Sequence, residues 1–143
     1  DDVELAIKVE ADGVHLGQHD ISYSTARRIL GNDKIIGISC YNDLSRAIDA
    51  AAKGASYIAL GSFYDSVTKK IAPRCGIDVL QQTSKKITIP IVAIGGITAE
   101  NGLILIENGA NFLACIDALF KDNNGLNSAR ELNLLFERVI ANE

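Results

Sequence analysis

Residues 13–20 read GVHLGQHD: an apolar stretch, Val14 to Leu16, runs out at Gly17 and Gln18 and is followed by an imidazole, His19, and a carboxylate, Asp20. An acid just beyond a buried strand serves either as a helix cap or as a ligand for something positively charged, and Ser22 competes for the cap. Further along, GSFYDSVTKKIAPRCG sets Ser66, Thr68 and Lys69 close together. Hydroxyls and an ammonium supply donors and a compact positive charge, which suits phosphate; a solvated polar loop is the plainer alternative. In IVAIGGI, Gly95 and Gly96 end a strand, where a backbone without side chains can approach a ligand closely and offer amides to an anion. Ser39 closes IIGIS. Of the histidines, His15 reads as a packed, hydrogen-bonded residue and His19 as solvent-facing, since neither has a carboxylate partner at a recognisable spacing.

These groups need elements to hold them at one place, and the chain supplies a strict alternation. Leu5, Ala6 and Val9 recur at helical spacing behind Asp1 and Asp2, and a strand follows at Val14 to Leu16. The alternation continues with helix Ser22 to Leu30, strand Ile35 to Ser39, helix Asn42 to Lys53 and strand Tyr57 to Gly61. After the polar loop come helix Gly76 to Lys86, strand Ile91 to Ile94, helix Ala99 to Asn108, strand Phe112 to Ile116 and helix Ser128 to Ala141. Short strands rich in Ile, Val and Leu, separated by helices, mark an α/β fold with a parallel sheet. An open doubly wound sheet and a TIM (β/α)8 barrel both fit that alternation. The small or polar residues that end every strand favour the barrel, where such ends converge on one mouth and leave room for a ligand.

The 143 residues, 48% of them hydrophobic, suffice for one domain with a substantial core, and nothing divides residues 1–143. No apolar run approaches the roughly 20 residues that cross a bilayer, so no membrane partner is expected and the cytoplasm is the expected location. A net charge of -4 argues against nucleic acid as a partner. Cys40, Cys75 and Cys115 read as free thiols in a reducing compartment. The chain opens DDVELAIKVEADG without methionine, and a helix pattern starts almost at once, so the expectation is that it enters a fold already under way.

Together, DDVELA, ADGVHLGQHD, IGIS, GASYIALGSFYDSVTKK and PIVAIGGITAEN resemble the thiamine phosphate synthase family, in the family's order and nearly its spacing, from residue 1 to about residue 110. The resemblance implies a TIM barrel of which this chain carries about the last five of eight strands. It implies an enzyme that joins hydroxymethylpyrimidine diphosphate to thiazole phosphate, releasing diphosphate, with Mg2+ as cofactor. By motif, Asp1 and Asp20 are the magnesium carboxylates; Lys69 binds diphosphate, Ser66 and Thr68 contact phosphate, Ser39 is the strand-end serine, and Gly96 offers its amide to the thiazole phosphate. Ser39 and Lys69 are the groups implied in catalysis, and Ile116 and Asp117 lie at the substrate-binding end of the last strand. The sequence departs from the family pattern at Asp117, which replaces a serine, at Cys40, which stands where relatives have histidine, and at Ser66, which replaces threonine. A thiazole tautomerase-like relative and a non-catalytic phosphate-binding barrel are the alternative readings. Five strands of an eight-stranded barrel leave open edges, so homo-oligomerisation or association through them is expected, with an interior lined by Val14, Leu16, Ile58, Leu60, Val92 and Ile94. The strand that carries further diphosphate-binding residues in the family is not among these five, so the chain alone is expected to be inactive.

Overall fold

The computed structural model describes residues 1–65, 74–121 and 124–141. The first three helices begin where short polar side chains take up the free amides of a first turn. Asp2 accepts the Leu5 N–H at 2.9 Å and opens α1 (Val3–Lys8). Ser22, not Asp20, caps α2 (Tyr23–Leu30), its Oγ accepting from the Thr25 N–H at 3.2 Å. Asp43 does the same for Arg46 at 2.9 Å and starts α3 (Leu44–Ala52). The remaining helices among the described residues are α4 (Ile77–Ser84), α5 (Leu103–Glu107), α6 (Asp117–Phe120) and α7 (Gly125–Ile140).

The strands β1 (Gly13–Leu16), β2 (Ile35–Tyr41), β3 (Tyr57–Gly61), β4 (Ile91–Ile94) and β5 (Phe112–Ala114) form one parallel sheet in chain order. Consecutive order with a helix in each connection is the wall of a barrel, since a doubly wound sheet would reverse direction at a switch point. Successive strand residues face opposite sides. Leu16, Ile36, Ile58, Leu60 and Ile91, all 1% exposed or less, take one side and meet Leu80 of α4 and Leu105 of α5 in the main core.

The other side, the barrel interior, differs from the sequence expectation. Val14, Leu16, Ile58 and Leu60 belong to the helix-facing core and do not line the interior. Of the six residues expected there, Val92 and Ile94 alternate with the helix-facing Ile91 and Ala93 and keep the inward register. The inward positions of the first three strands hold His15, Gly37, Ser39, Tyr57 and Ala59 instead, because a mouth that admits a ligand needs small or polar groups there.

Element ends also shift. β2 runs on to Tyr41 through a register irregularity between Ser39 and Tyr41, and β5 stops at Ala114, with the single-turn α6 following. Residues 98–101 form a turn closed by Asn101, which accepts the Thr98 N–H at 2.8 Å and donates to the Gly96 carbonyl at 3.0 Å, so α5 starts at Leu103.

Candidate functional site

The ends of β2 to β5 open onto a cleft of ≈ 280 Å³. β2 contributes Ser39 and Tyr41, β3 leads to Gly61 and Ser62, β4 ends in Gly95 and Gly96, and β5 is followed by Ile116 and Asp117. The structure thus brings together five residues singled out from sequence: Ser39, Gly95, Gly96, Ile116 and Asp117.

The floor at Gly95 and Gly96 requires glycine. Both have positive φ, 103° and 63°. A Cβ on Gly95 would lie 2.0 Å from the Ser62 Oγ, and one on Gly96 would lie 2.4 Å from the Asp65 carbonyl oxygen. Their carbonyls are engaged by the Tyr64 N–H at 3.0 Å and the Asn101 side-chain amide at 3.0 Å. The Gly96 N–H has no acceptor among the described residues. A rigid turn with an uncommitted amide is the backbone arrangement that receives an anion.

Ser39 sits half-buried on the wall, its Oγ 2.8 Å from His15 Nε2, while His15 Nδ1 lies 2.9 Å from the Tyr57 hydroxyl. His15 is therefore packed and hydrogen-bonded, as its sequence context indicates, and His19 is exposed. Beside Ser39, Tyr41 reaches the cleft and takes the Gln18 N–H on its hydroxyl at 3.1 Å. Arg46 from α3 donates to the Ser39 carbonyl at 2.7 Å and lies over the Tyr41 ring at 5.9 Å.

Asp20 follows β1 at the same end of the sheet. Its Oδ2 accepts the Gly17 N–H at 2.6 Å, and it lines a neighbouring depression with Gln18 and Arg46 rather than the main cleft. Asp1 is exposed next to the capping Asp2. The described residues contain no cluster of three His, Cys, Asp or Glu able to hold a metal. Among the described residues, the second oxygen of Asp20 and both oxygens of Asp1 take no hydrogen bond.

Ser66, Thr68 and Lys69 lie outside the described residues. Flanking them, Arg74 donates to the Asp65 carboxylate. Cys40 is wholly buried on the helix side, its thiol pushed up to about 12 by burial, so it has no access to the cleft. The residue after Ser39 that does reach the cleft is Tyr41. Sequence reasoning passed over Tyr41, Tyr57 and Ser62; Tyr57 has its place because it pairs with Gly37, which leaves a gap for a large ring, and that register is not written in the residue types.

A parallel β/α wall with its cleft at the carboxyl ends of the strands defines the TIM-barrel class. Within that class, a family model described as thiamine monophosphate synthase matches residues 1–119, and the chain belongs to that family. A thiamine-phosphate synthase of Nitrosospira multiformis is 49% identical over 138 residues, covering 96% of this chain and 59% of the relative. One of Nitrosococcus oceani is 51% identical over 124 residues, covering 87% and 57%. The thiamine phosphate pyrophosphorylase of Pyrococcus furiosus superposes with a TM-score of 0.86 at 33% identity, over 97% of this chain and 66% of that structure. A 3-hexulose-6-phosphate synthase at 17% identity and a TM-score of 0.68 shares the fold. The chain thus spans less than two thirds of the length of the curated relatives it matches.

Proposed function

We propose that this chain carries the substrate-binding face of a thiamine phosphate synthase, which joins hydroxymethylpyrimidine diphosphate to thiazole phosphate and releases diphosphate. The observation that carries the reading is the Gly95–Gly96 turn with its uncommitted amide, set in one cleft with Ser39 in a chain of this family. In the reaction, the bond from the pyrimidine methylene to the diphosphate oxygen breaks, and the thiazole nitrogen donates its lone pair to form the new C–N bond. The electron pair leaves with the diphosphate, so the groups needed are those that hold an anion rather than a nucleophilic side chain. Gly96 would receive the thiazole phosphate, and Ser39 would orient the pyrimidine substrate in the cleft. Ser66, Thr68 and Lys69 would contact the departing diphosphate. Asp20 and Asp1 are the carboxylates that would hold magnesium, which when bound neutralises diphosphate charge.

The test is made on the full-length protein. Thiamine phosphate and diphosphate are expected to form only with magnesium present. Lys69→Ala lowers kcat by about 100-fold or more, the scale of removing one preorganised charge-stabilising group. Asp20→Asn raises the magnesium concentration needed for half-maximal rate. A protein that binds thiazole phosphate yet releases no diphosphate at any magnesium concentration would instead be a non-catalytic barrel. A small-molecule enzyme of this kind is placed in the cytoplasm on the same reading.

A further inference from the structure

His15, Gly37 and Tyr57 occupy one row across the first three strands, paired His15 to Gly37 and Gly37 to Tyr57. Side chains two strands apart are separated by about 10 Å and do not normally touch. Here they do: the Tyr57 and His15 rings stack with centroids 5.5 Å apart at 26°, and the Tyr57 hydroxyl lies 2.9 Å from His15 Nδ1. Gly37 makes this possible, because a Cβ there would fall 2.1 Å from Tyr57 Cζ. One step further up β2, on the same face, Ser39 Oγ lies 2.8 Å from His15 Nε2.

The direction of these hydrogen bonds follows from counting protons. A neutral imidazole has one N–H. If Nδ1 carries it, with Nε2 bare or also protonated, Tyr57 must accept, and its own O–H is left with no acceptor among the described residues. If Tyr57 donates to Nδ1, the imidazole proton sits on Nε2 and points at Ser39 Oγ, and the two hydrogen bonds that His15 makes to Tyr57 and Ser39 are both satisfied. Burial raises the Tyr57 phenol above its ordinary 10.0, which keeps it protonated and able to donate. With its oxygen already receiving the Nε2–H, the Ser39 hydroxyl turns its own proton toward the cleft that it lines.

We propose that Tyr57 and His15 are positioning residues that fix Ser39 as a hydrogen-bond donor aimed into the cleft, where it meets an electron-rich acceptor atom of the substrate. The identity of that substrate rests on the synthase reading; the direction of the relay does not. Two measurements on the full-length protein separate them. Long-range proton–nitrogen NMR correlations at about pH 8, with the His15 signals assigned by their loss in His15→Gln, report the tautomer without any need for turnover. Protonated Nε2 with bare Nδ1 is expected, and a protonated Nδ1 overturns the relay. In the kinetic arm, Tyr57→Phe is expected to lower kcat/KM by about 5- to 20-fold, the scale of one misdirected hydrogen bond, but by less than about 2-fold when Ser39 is already alanine. Equal losses in both backgrounds would assign Tyr57 a packing role only and overturn the positioning claim. A protein without synthase turnover sinks the synthase reading, while the tautomer still decides the relay.

Discussion

Asp117 is the residue whose charge opposes the proposed substrate. It opens α6 and lines the same cleft as Gly96, where an incoming phosphate would meet a second anion. Two like charges several ångströms apart, at an effective dielectric constant between that of water and of a protein surface, repel by about 1 kcal/mol or somewhat more. Asp117→Ser is therefore expected to tighten thiazole phosphate binding by about 5- to 10-fold in calorimetry and to leave the magnesium midpoint unchanged, because the carboxylates proposed to hold the metal, Asp1 and Asp20, do not line this cleft. Unchanged affinity would mean that the carboxylate turns away from the phosphate. At this scale the sequence was partly legible. Gly95 and Gly96 could be found because two glycines at a strand end let the backbone approach a ligand, although such a turn is as often structural. The cap stays open between Asp20 and Ser22 in the sequence and is decided by the Thr25 N–H, which bonds the serine. Asp20 was less transparent: its bond to the Gly17 amide depends on how the chain turns after β1, which residue types alone do not specify.

The elements lean on a layer between sheet and helices, and two thiols lie in it. Cys40 on β2 is 0% exposed and Cys75, just before α4, is 5% exposed. Burial pushes each thiol from an ordinary 9.0 up to about 12, helped at Cys75 by the Asp78 carboxylate. The folded state thus holds these protons more tightly than the unfolded chain. That contribution is complete below pH 9.0 and is lost as pH climbs toward 12, at up to about 1.4 kcal/mol per thiol per pH unit. Denaturant midpoints are expected to fall between about pH 9 and 10, and to fall less steeply in Cys40→Ala/Cys75→Ala. An identical slope in that double variant would show that the thiols are ionised in the fold or protonated out of it. The alternation of strand and helix was readable because parallel strands with both faces covered form short Ile- and Val-rich runs between helical periods. Which face each strand residue takes was not. In GVHL and YIAL the apolar residues at Val14, Leu16, Ile58 and Leu60 look fit for either side, and only pairing places His15 and Tyr57 inward. The single-turn α6 was missed because four residues are too few for a helical period.

Taken whole, the sheet has two ends. Among the described residues β1 pairs only with β2 and β5 only with β4, so each presents a row of backbone donors and acceptors on one side. Near the β5 end, Phe112 is 56% exposed, Ile116 57% and Phe120 80%, an apolar surface beside an unpaired strand. Edges of this kind pair with whatever strand or copy they meet unless charge or proline blocks them, and β5, FLA, contains neither. The synthases matched here run to well over the length of this chain, and the further length in such proteins offers one partner for these edges. A polypeptide of these 143 residues alone would have to find another. It is expected to give a light-scattering mass above 15.3 kDa, rising with concentration. Phe112→Lys should shift it toward the monomer, because an edge lysine keeps its charge in water and penalises a strand laid against it. A control at Lys85→Ala, exposed at the end of α4, the helix that joins the inner strands β3 and β4, should leave the mass unchanged. A monodisperse 15.3 kDa species across the concentration range would mean that the two edges are protected within the chain itself.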